Sequence, residues 1–210
     1  VKILPHIQGS DEWLAARAGL ATASCFADIM ATLKSGGEAV ERRNYRARLV
    51  VERLTGKPVS TYQNKSMQQG QEREPFARRA YEVKTANLVE EVGLCLHDEL
   101  ECGASPDGLI DDDGGLEIKC PELSAHLRYL KLEKGCPPPE YFWQVQGALW
   151  ITGREYWDFA SWNPDFPENL QLVIRRVARD KQAIDKLAGE VARFMDEVRG
   201  EVEAVSKLAA

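Results

Sequence analysis

The residues Ser105-Pro106-Asp107-Gly108-Leu109-Ile110, then Asp111-Asp112-Asp113-Gly114, then Gly115-Leu116-Glu117-Ile118-Lys119-Cys120-Pro121 form one continuous stretch. Two strand-like runs flank an acidic turn that ends in glycine, which is the pattern of a β-hairpin. Alternate side chains of a strand share a face, so Leu116, Ile118 and Cys120 point to a core while Glu117 and Lys119 point to a cleft. A turn centred on Asp112 places Asp107 opposite Glu117. Directly opposed residues have Cβ atoms roughly 4.5–5.5 Å apart, where two carboxylates repel unless a cation lies between them. A hard divalent cation with oxygen ligands resolves the repulsion, and Mg²⁺ takes one or two carboxylates and keeps waters for a substrate phosphate. Lys119 projects to the same place, where it can orient or deprotonate an attacking water or stabilise charge growing on the phosphate. That is the chemistry of phosphodiester hydrolysis. The run Asp111 to Asp113 is read as the turn itself.

Outward from the hairpin, Glu74 shares a helical face with Ala77 and Tyr81 and so points inward, where a carboxylate needs a metal or an arginine as partner. Glu72 competes with it for that role. Gln144 shares a face with Tyr141, Ala148 and Ile151, so its amide is expected to meet a polar group at the buried edge of the site. Helices are expected over Ser10 to Gly19, over the segment that Ser24 would N-cap before Phe26, over Glu41 to Leu54, and over Glu72 to Tyr81, with Pro75 in its first turn or kinking it. Short strands over Asn87 to Leu96, Gly103 to Ile110 and Gly115 to Cys120 suggest a meander. Helices over Leu123 to Leu132 and Tyr141 to Ile151 follow, then strands over Trp157 to Trp162 and Leu170 to Val177. A helix from Asp180 to Val205 closes the chain, with Ile184, Leu187, Val191, Phe194, Val198, Val202 and Val205 in one apolar stripe. The expectation is a single mixed α/β domain, with a helical N-terminal part over 1–85, a sheet and catalytic core over 86–178, and a C-terminal helix over 179–208.

Composition narrows the setting. The chain has 210 residues, 44% of them hydrophobic and 29% charged, which is normal for a globular protein and excludes disordered or fibrous classes. No apolar run approaches the ~18 residues of a membrane span, and no basic-then-apolar leader is evident, so a cytoplasmic protein without a membrane partner is expected. The formal charge of −6 means that contact with nucleic acid must be local. Cys25, Cys95, Cys102, Cys120 and Cys136 have no C-x-x-C spacing, so free thiols are expected and no iron–sulfur cluster.

The order of a helical Glu, Pro-Asp, Glu-x-Lys and a helical Gln resembles the PD-(D/E)xK nuclease superfamily. Trp13-Leu14-Ala15-Ala16-Arg17, Thr22-Ala23-Ser24, Ser105 to Leu109, Leu116 to Pro121 and Gln144-Val145-Gln146 extend the likeness to the lambda-type, or YqaJ, family of phage recombination exonucleases over nearly the whole chain. The resemblance implies a restriction-endonuclease-like core, a central mixed sheet flanked by helices. It implies a processive Mg²⁺-dependent exonuclease, with Mn²⁺ as a substitute ion, that digests one strand of duplex DNA from its 5′ end to mononucleotides and leaves a 3′ overhang. Carried over residue by residue, Asp107, Glu117 and the Ile118 carbonyl bind metal, Lys119 serves the water, Glu74 is an additional acid that can also reach the metal, and Gln144 supports the site. The family's 5′-phosphate pocket maps onto Arg17 and Ser24, and its further arginine onto Lys34, a departure that keeps charge and loses the bidentate fork. Met67 falls near the family's strand-separating wedge.

The resemblance further implies a ring-shaped homotrimer around duplex DNA ends, a single-strand annealing protein as partner, and a phage or prophage protein at work in the bacterial cytoplasm. Arg42, Arg43, Arg46 and Arg48 form either a basic cluster at the channel mouth or a solvated helix face. The closing helix packs on its own core or lies at a subunit contact. Two rival functions share the sequence features: a restriction-like or junction-cleaving endonuclease, and a silent DNA-end binding protein.

Overall fold

The computed structural model describes residues 1–33, 36–59 and 65–209, with side chains throughout except at 65–67 and 209. The elements in order are β1 (Lys2–Leu4), α1 (Asp11–Arg17), β2 (Ala21–Thr22), α2 (Phe26–Met30), α3 (Val40–Thr55), α4 (Lys65–Thr85), β3 (Val89–Glu90), β4 (Leu94–Leu96), β5 (Cys102–Ala104), β6 (Gly108–Ile110) and β7 (Gly114–Lys119). Then come α5 (Leu123–Leu130), α6 (Phe142–Thr152), β8 (Tyr156–Trp162), β9 (Leu172–Ala178) and α7 (Lys181–Ser206). The central sheet has the order β3-β6-β7-β8-β9 and is mixed, because β7 and β8 run parallel while the other pairs are antiparallel. A parallel pair needs a crossover, and α5 and α6 supply it. Among the described residues no helix is long and apolar enough to cross a membrane.

The hairpin has the expected register, with Gly108 opposite Leu116 and Ile110 opposite Gly114. The acidic run is its exposed turn, where Asp111 takes a left-handed φ of 44°. Arg154 closes that turn by donating to the carbonyls of Ile110, Asp111 and Gly114 at 3.1, 2.7 and 2.8 Å. Gly115 must be glycine for a different reason: a Cβ there would lie 2.2 Å from the Trp157 ring.

Side-chain alternation gives the sheet two differently covered faces. Leu116, Ile118 and Ala160 lie under Ala77 and Tyr81 of α4. Leu109, Trp157 and Phe159 face the larger core, built with Val145 and Leu149 of α6, Tyr45 and Leu49 of α3, and Val191 and Phe194 of α7. The α7 stripe is buried from Ile184 to Val198, so within this range the helix packs on its own core.

Four expectations change. The short strands do not form one meander: β4 pairs with β1, and β5 pairs with β2, in a second sheet of order β1-β4-β5-β2. Strands of two or three residues carry too little periodicity to announce a partner some 80 to 90 residues upstream. Helix α4 starts at Lys65, not Glu72, and Pro75 lies in its interior. Residues 65–74 are mostly Gln, Glu, Lys and Arg, good helix formers without an apolar stripe to mark the start. Ser24 does not cap α2: it sits in a 3₁₀ turn, Ala23–Cys25, and α2 follows with no side-chain cap. Finally, Arg42 and Arg46 are not a free basic cluster. Both bind Glu38 and Glu197, and Arg46 also binds Glu201, which ties α3 to α7. Arg48 turns to the Cys25 thiol at 3.3 Å, which leaves Arg43 as the exposed member.

Candidate active site

Strand β7 presents Glu117 and Lys119 on the face that α6 covers. Glu117 is 3% exposed, and its Oε1 receives two donors, Gln144 Nε2 at 2.6 Å and the Lys119 ammonium. Asp107 stands one residue before β6. Its N–H donates to the carbonyl of Leu116, the residue already opposite Gly108, at 3.2 Å, so the regular pairing ends in a bulge rather than continuing to an Asp107–Glu117 pair, and Asp107 meets Glu117 as a fellow lining residue of one cavity. Asp107 Oδ2 accepts the Ile118 N–H at 2.6 Å. The N–H and C=O of one strand residue point to the same side, so the Ile118 carbonyl also faces the space beyond the end of β6.

Charge is concentrated here without full compensation. Burial, the Glu117 carboxylate and, more weakly, Glu74 hold the Asp107 carboxyl well above the usual range, against the opposing pull of Lys119 and the Ile118 N–H. For Lys119, burial works to lower the pKa, but the charges of Glu117 and Asp107 outweigh it and the group is held above its ordinary value. Burial also raises Glu74, against the charges of Arg78 and Lys119.

Glu74 points inward, as its helical face requires, and its direct partner is Arg78 Nη2 at 2.8 Å. Arg78 is shared with Glu91 at 2.6 Å. Glu72 is exposed on the outer surface of α4.

The arrangement fits a hard cation. The hydrogen bonds occupy one oxygen of each carboxylate, Asp107 Oδ2 and Glu117 Oε1, and among the described residues no donor occupies Asp107 Oδ1 or Glu117 Oε2. Among the described residues no group of three or more His, Cys, Asp or Glu side chains is set to hold a metal. The groups here that could hold an ion are two carboxylates and a carbonyl, a set that suits one that retains several waters.

The same cavity, about 160 Å³, is lined by Arg17 and Ser24 together with Asp107, Glu117, Lys119 and Gln144. Arg17 stacks on the Trp13 ring, 4.0 Å from its centroid, and donates to Thr22 Oγ1 at 3.3 Å and Ser24 Oγ at 3.4 Å. Among the described residues Arg17 has no carboxylate partner. Burial lowers its pKa, yet a guanidinium stays charged, so a cation without a counter-ion faces the cavity. Lys34 lies outside the described residues. Met67 belongs to the first turns of α4, and its side chain is likewise outside them.

Two contacts had no evident signal in the sequence. Trp13 Nε1 donates to Ser105 Oγ at 3.1 Å, which links the Arg17 helix to the Asp107 strand. Gln8 Nε2 donates to the Pro106 carbonyl at 2.6 Å, bracing the peptide just before Asp107. Both join segments more than 90 residues apart, a separation no local pattern encodes.

A model of the YqaJ-like viral recombinase domain matches residues 12–155. Among curated proteins nothing matches the chain. The crystal structure of LHK-Exo in complex with dAMP is 40% identical, covers 95% of this chain and 98% of its own, and superposes with a TM-score of 0.87. The structure of the same alkaline exonuclease, LHK-Exo from Laribacter hongkongensis, gives the same identity and coverage with a TM-score of 0.86. A phage-related exonuclease from Haemophilus somnus 129PT, 14% identical over 90% of this chain and 96% of its own with a TM-score of 0.71, shares the fold.

Proposed function

The chain belongs to the YqaJ-like viral recombinase family, and from that premise we propose that it is a Mg²⁺-dependent exodeoxyribonuclease. It degrades one strand of duplex DNA from the 5′ end, releases mononucleotides and leaves a 3′ single strand for recombination. The observation that carries this reading is the shared cavity: Arg17, a cation without a carboxylate partner among the described residues, lies with Ser24 in the same pocket as Asp107, Glu117 and Lys119. An enzyme that cuts within a strand has no use for a terminal-phosphate site next to its hydrolytic groups, whereas one that starts at an end does. That LHK-Exo, 40% identical, binds the mononucleotide dAMP supports the same view of the product.

In this reading Asp107, Glu117 and the Ile118 carbonyl hold the ion, Glu74 adds a nearby acid, and Gln144 fixes the Glu117 carboxylate. Mg²⁺, or Mn²⁺ in its place, supplies Lewis acidity to the scissile phosphate. Lys119, held as an ammonium by Glu117 and Asp107, acts as a donor: it orients the attacking water and stabilises charge on the phosphate oxygens. Arg17 and Ser24, with Lys34, receive the terminal phosphate. Met67, near the position of the family's apolar wedge, is assigned to strand separation. The acidic net charge is reconciled with DNA binding if three copies enclose the duplex and basic groups line only the channel. The overhang would pass to a single-strand annealing protein in the bacterial cytoplasm.

The test uses purified protein with Mg²⁺, linear duplex labelled at a 5′ end, and a covalently closed circle. Labelled mononucleotide from the linear DNA with the circle intact supports the proposal. Nicking of the circle indicates an endonuclease, and no cleavage of either at any metal concentration indicates an end-binding protein.

A further inference from the structure

Lys119 has a second neighbour besides Glu117. Its Nζ lies over the Tyr141 ring, 5.1 Å from the centroid, within the range of a cation–π attraction. Tyr141 is the residue at which a 3₁₀ turn, Pro139–Tyr141, runs into α6. Pro137, Pro138 and Pro139 precede it and fix three successive φ angles, and the Tyr141 N–H closes the turn on the Pro138 carbonyl at 2.9 Å. The adjacent Glu140 anchors the turn by accepting the Tyr129 hydroxyl at 2.9 Å. The ring is backed by Phe159, at 5.3 Å between centroids, and by Tyr129 at 6.4 Å. The start of α6 thus reaches both members of the Glu117–Lys119 pair: Gln144 holds the carboxylate at 2.6 Å, and Tyr141, three residues earlier, meets the ammonium.

We propose that Tyr141 is a positioning residue for Lys119, its ring face restraining the ammonium beside the Glu117 carboxylate. The inference rests on the hydrolytic reading of the site given above. Hydrophobic filling alone does not require this residue, because leucine or methionine would also pack on Phe159 and Tyr129. An aromatic face adds an attraction for a cation that no aliphatic side chain has. Lysine is otherwise a flexible chain with a freely rotating ammonium, and Glu117 Oε1 already shares its charge with the Gln144 amide. A second restraint keeps Nζ in one place at little entropic cost, since the ring is already fixed by the proline turn.

The experiment has two arms. In the metal-free protein, the Lys119 ε-methylene protons should resonate upfield through the ring current of residue 141. That shift should survive in Tyr141→Phe and vanish in Tyr141→Met. In steady-state cleavage of 5′-phosphorylated duplex at saturating Mg²⁺, Tyr141→Phe should keep kcat within about twofold and Tyr141→Met should lose about 5- to 30-fold, with KM for DNA ends unchanged. Replacing residue 141 by phenylalanines of increasing fluorination weakens the ring's attraction without changing its shape, so log kcat should fall stepwise with each fluorine. This series decides the matter even if Tyr141→Met folds poorly. A flat series, or a loss in Tyr141→Phe equal to that in Tyr141→Met, overturns the proposal. Absence of cleavage by the unaltered protein would instead overturn the hydrolytic reading, and the resonance arm would still test the ring–ammonium contact.

Discussion

Asp107 Oδ2 accepts the Ile118 N–H at 2.6 Å, so a carboxylate takes the place in the ladder that the next backbone carbonyl would otherwise fill. The bond orients the acid but does not make its ionisation easy. Burial and the neighbouring Glu117 hold its pKa well above the usual range, while in the unfolded chain it titrates near ~4. The folded state therefore binds this proton more tightly, and stability of the metal-free protein falls as pH rises from the unfolded value toward the folded one. Asp107→Asn, which keeps an acceptor for Ile118 and cannot ionise, should be more stable than the parent in EDTA at pH 7. The gain should shrink toward zero as the pH is lowered to ~4. Denaturant melts across that range check the sign, and an Asn variant less stable at pH 7 would sink the account. A carboxylate that binds Mg²⁺ does so in competition with protons, so calorimetry should show weaker affinity on acidification, while the Asn variant loses binding.

Gln144 reaches Glu117 from the first turn of α6 and shares its Oε1 with Lys119. Removing an amide that orients a ligating carboxylate typically costs about 10- to 100-fold in metal affinity. Gln144→Ala should shift the Mg²⁺ midpoint of cleavage upward by that amount and recover much of its rate at saturating metal. An unmoved midpoint would show that the amide does not support the ligand.

Under the proposed function, Lys119→Ala removes the ammonium from the reacting phosphate while Arg17 and Ser24 keep their contacts with each other. Its kcat should fall by about 10²–10³-fold, the cost of losing one charge-stabilising donor, with affinity for duplex ends nearly unchanged. A variant that cuts at the parent rate would remove Lys119 from the chemistry.

How much of this was readable beforehand depended on distance along the chain. Glu117 and Lys119 could be placed because a strand has a period of two, and the short turn fixed the register as far as Gly108, but the bulge at Asp107, which ends that register, left no mark in the sequence. Gln144 could be placed because Tyr141 and Ala148 marked which face of its helix turns inward. Glu74 could be turned inward by the same logic, but its partner Arg78 was only one of two options, since an arginine or a cation satisfies a buried carboxylate equally well. Ser24 misled, because a serine before an apolar helix start is an N-cap signal and only the folded chain reveals that Arg17 and Thr22 compete for the hydroxyl. The arginines of α3 were open between a basic cluster and a solvated face, and neither describes Arg42 and Arg46: their acidic partners Glu197 and Glu201 lie about 150 residues on, where no local pattern reaches.

Those arginines give a prediction of their own. Arg42 is 12% exposed and uses both terminal nitrogens on Glu197. Arg42→Ala should cost about 1–2 kcal/mol of stability, between the values for exposed and buried pairs, with the loss shrinking in high salt. The slope of log affinity for duplex ends against log salt should be unchanged, because a guanidinium committed to glutamates neutralises no phosphate. A shallower slope would return Arg42 to the DNA-binding surface.

Under the proposed function, Arg17 is the residue that should separate end recognition from hydrolysis. It is held by Trp13 and by the hydroxyls of Thr22 and Ser24, and all of these contacts leave its charge uncompensated. A charged hydrogen bond to phosphate contributes about 1.5–3 kcal/mol, equivalent to roughly 10- to 100-fold. Arg17→Ala should therefore lower kcat/KM on 5′-phosphorylated ends by that factor, down to the level of 5′-hydroxyl ends, which should themselves change little. Arg17→Lys keeps the charge but cannot bond in a bidentate fork, so it should recover only part of the preference. Metal affinity should be the same in all three proteins, since Arg17 touches none of the carboxylates that would hold the ion. If the preference for a phosphorylated end survives in Arg17→Ala, the cation in the cavity serves some other part of the strand, and the terminal phosphate must be sought elsewhere.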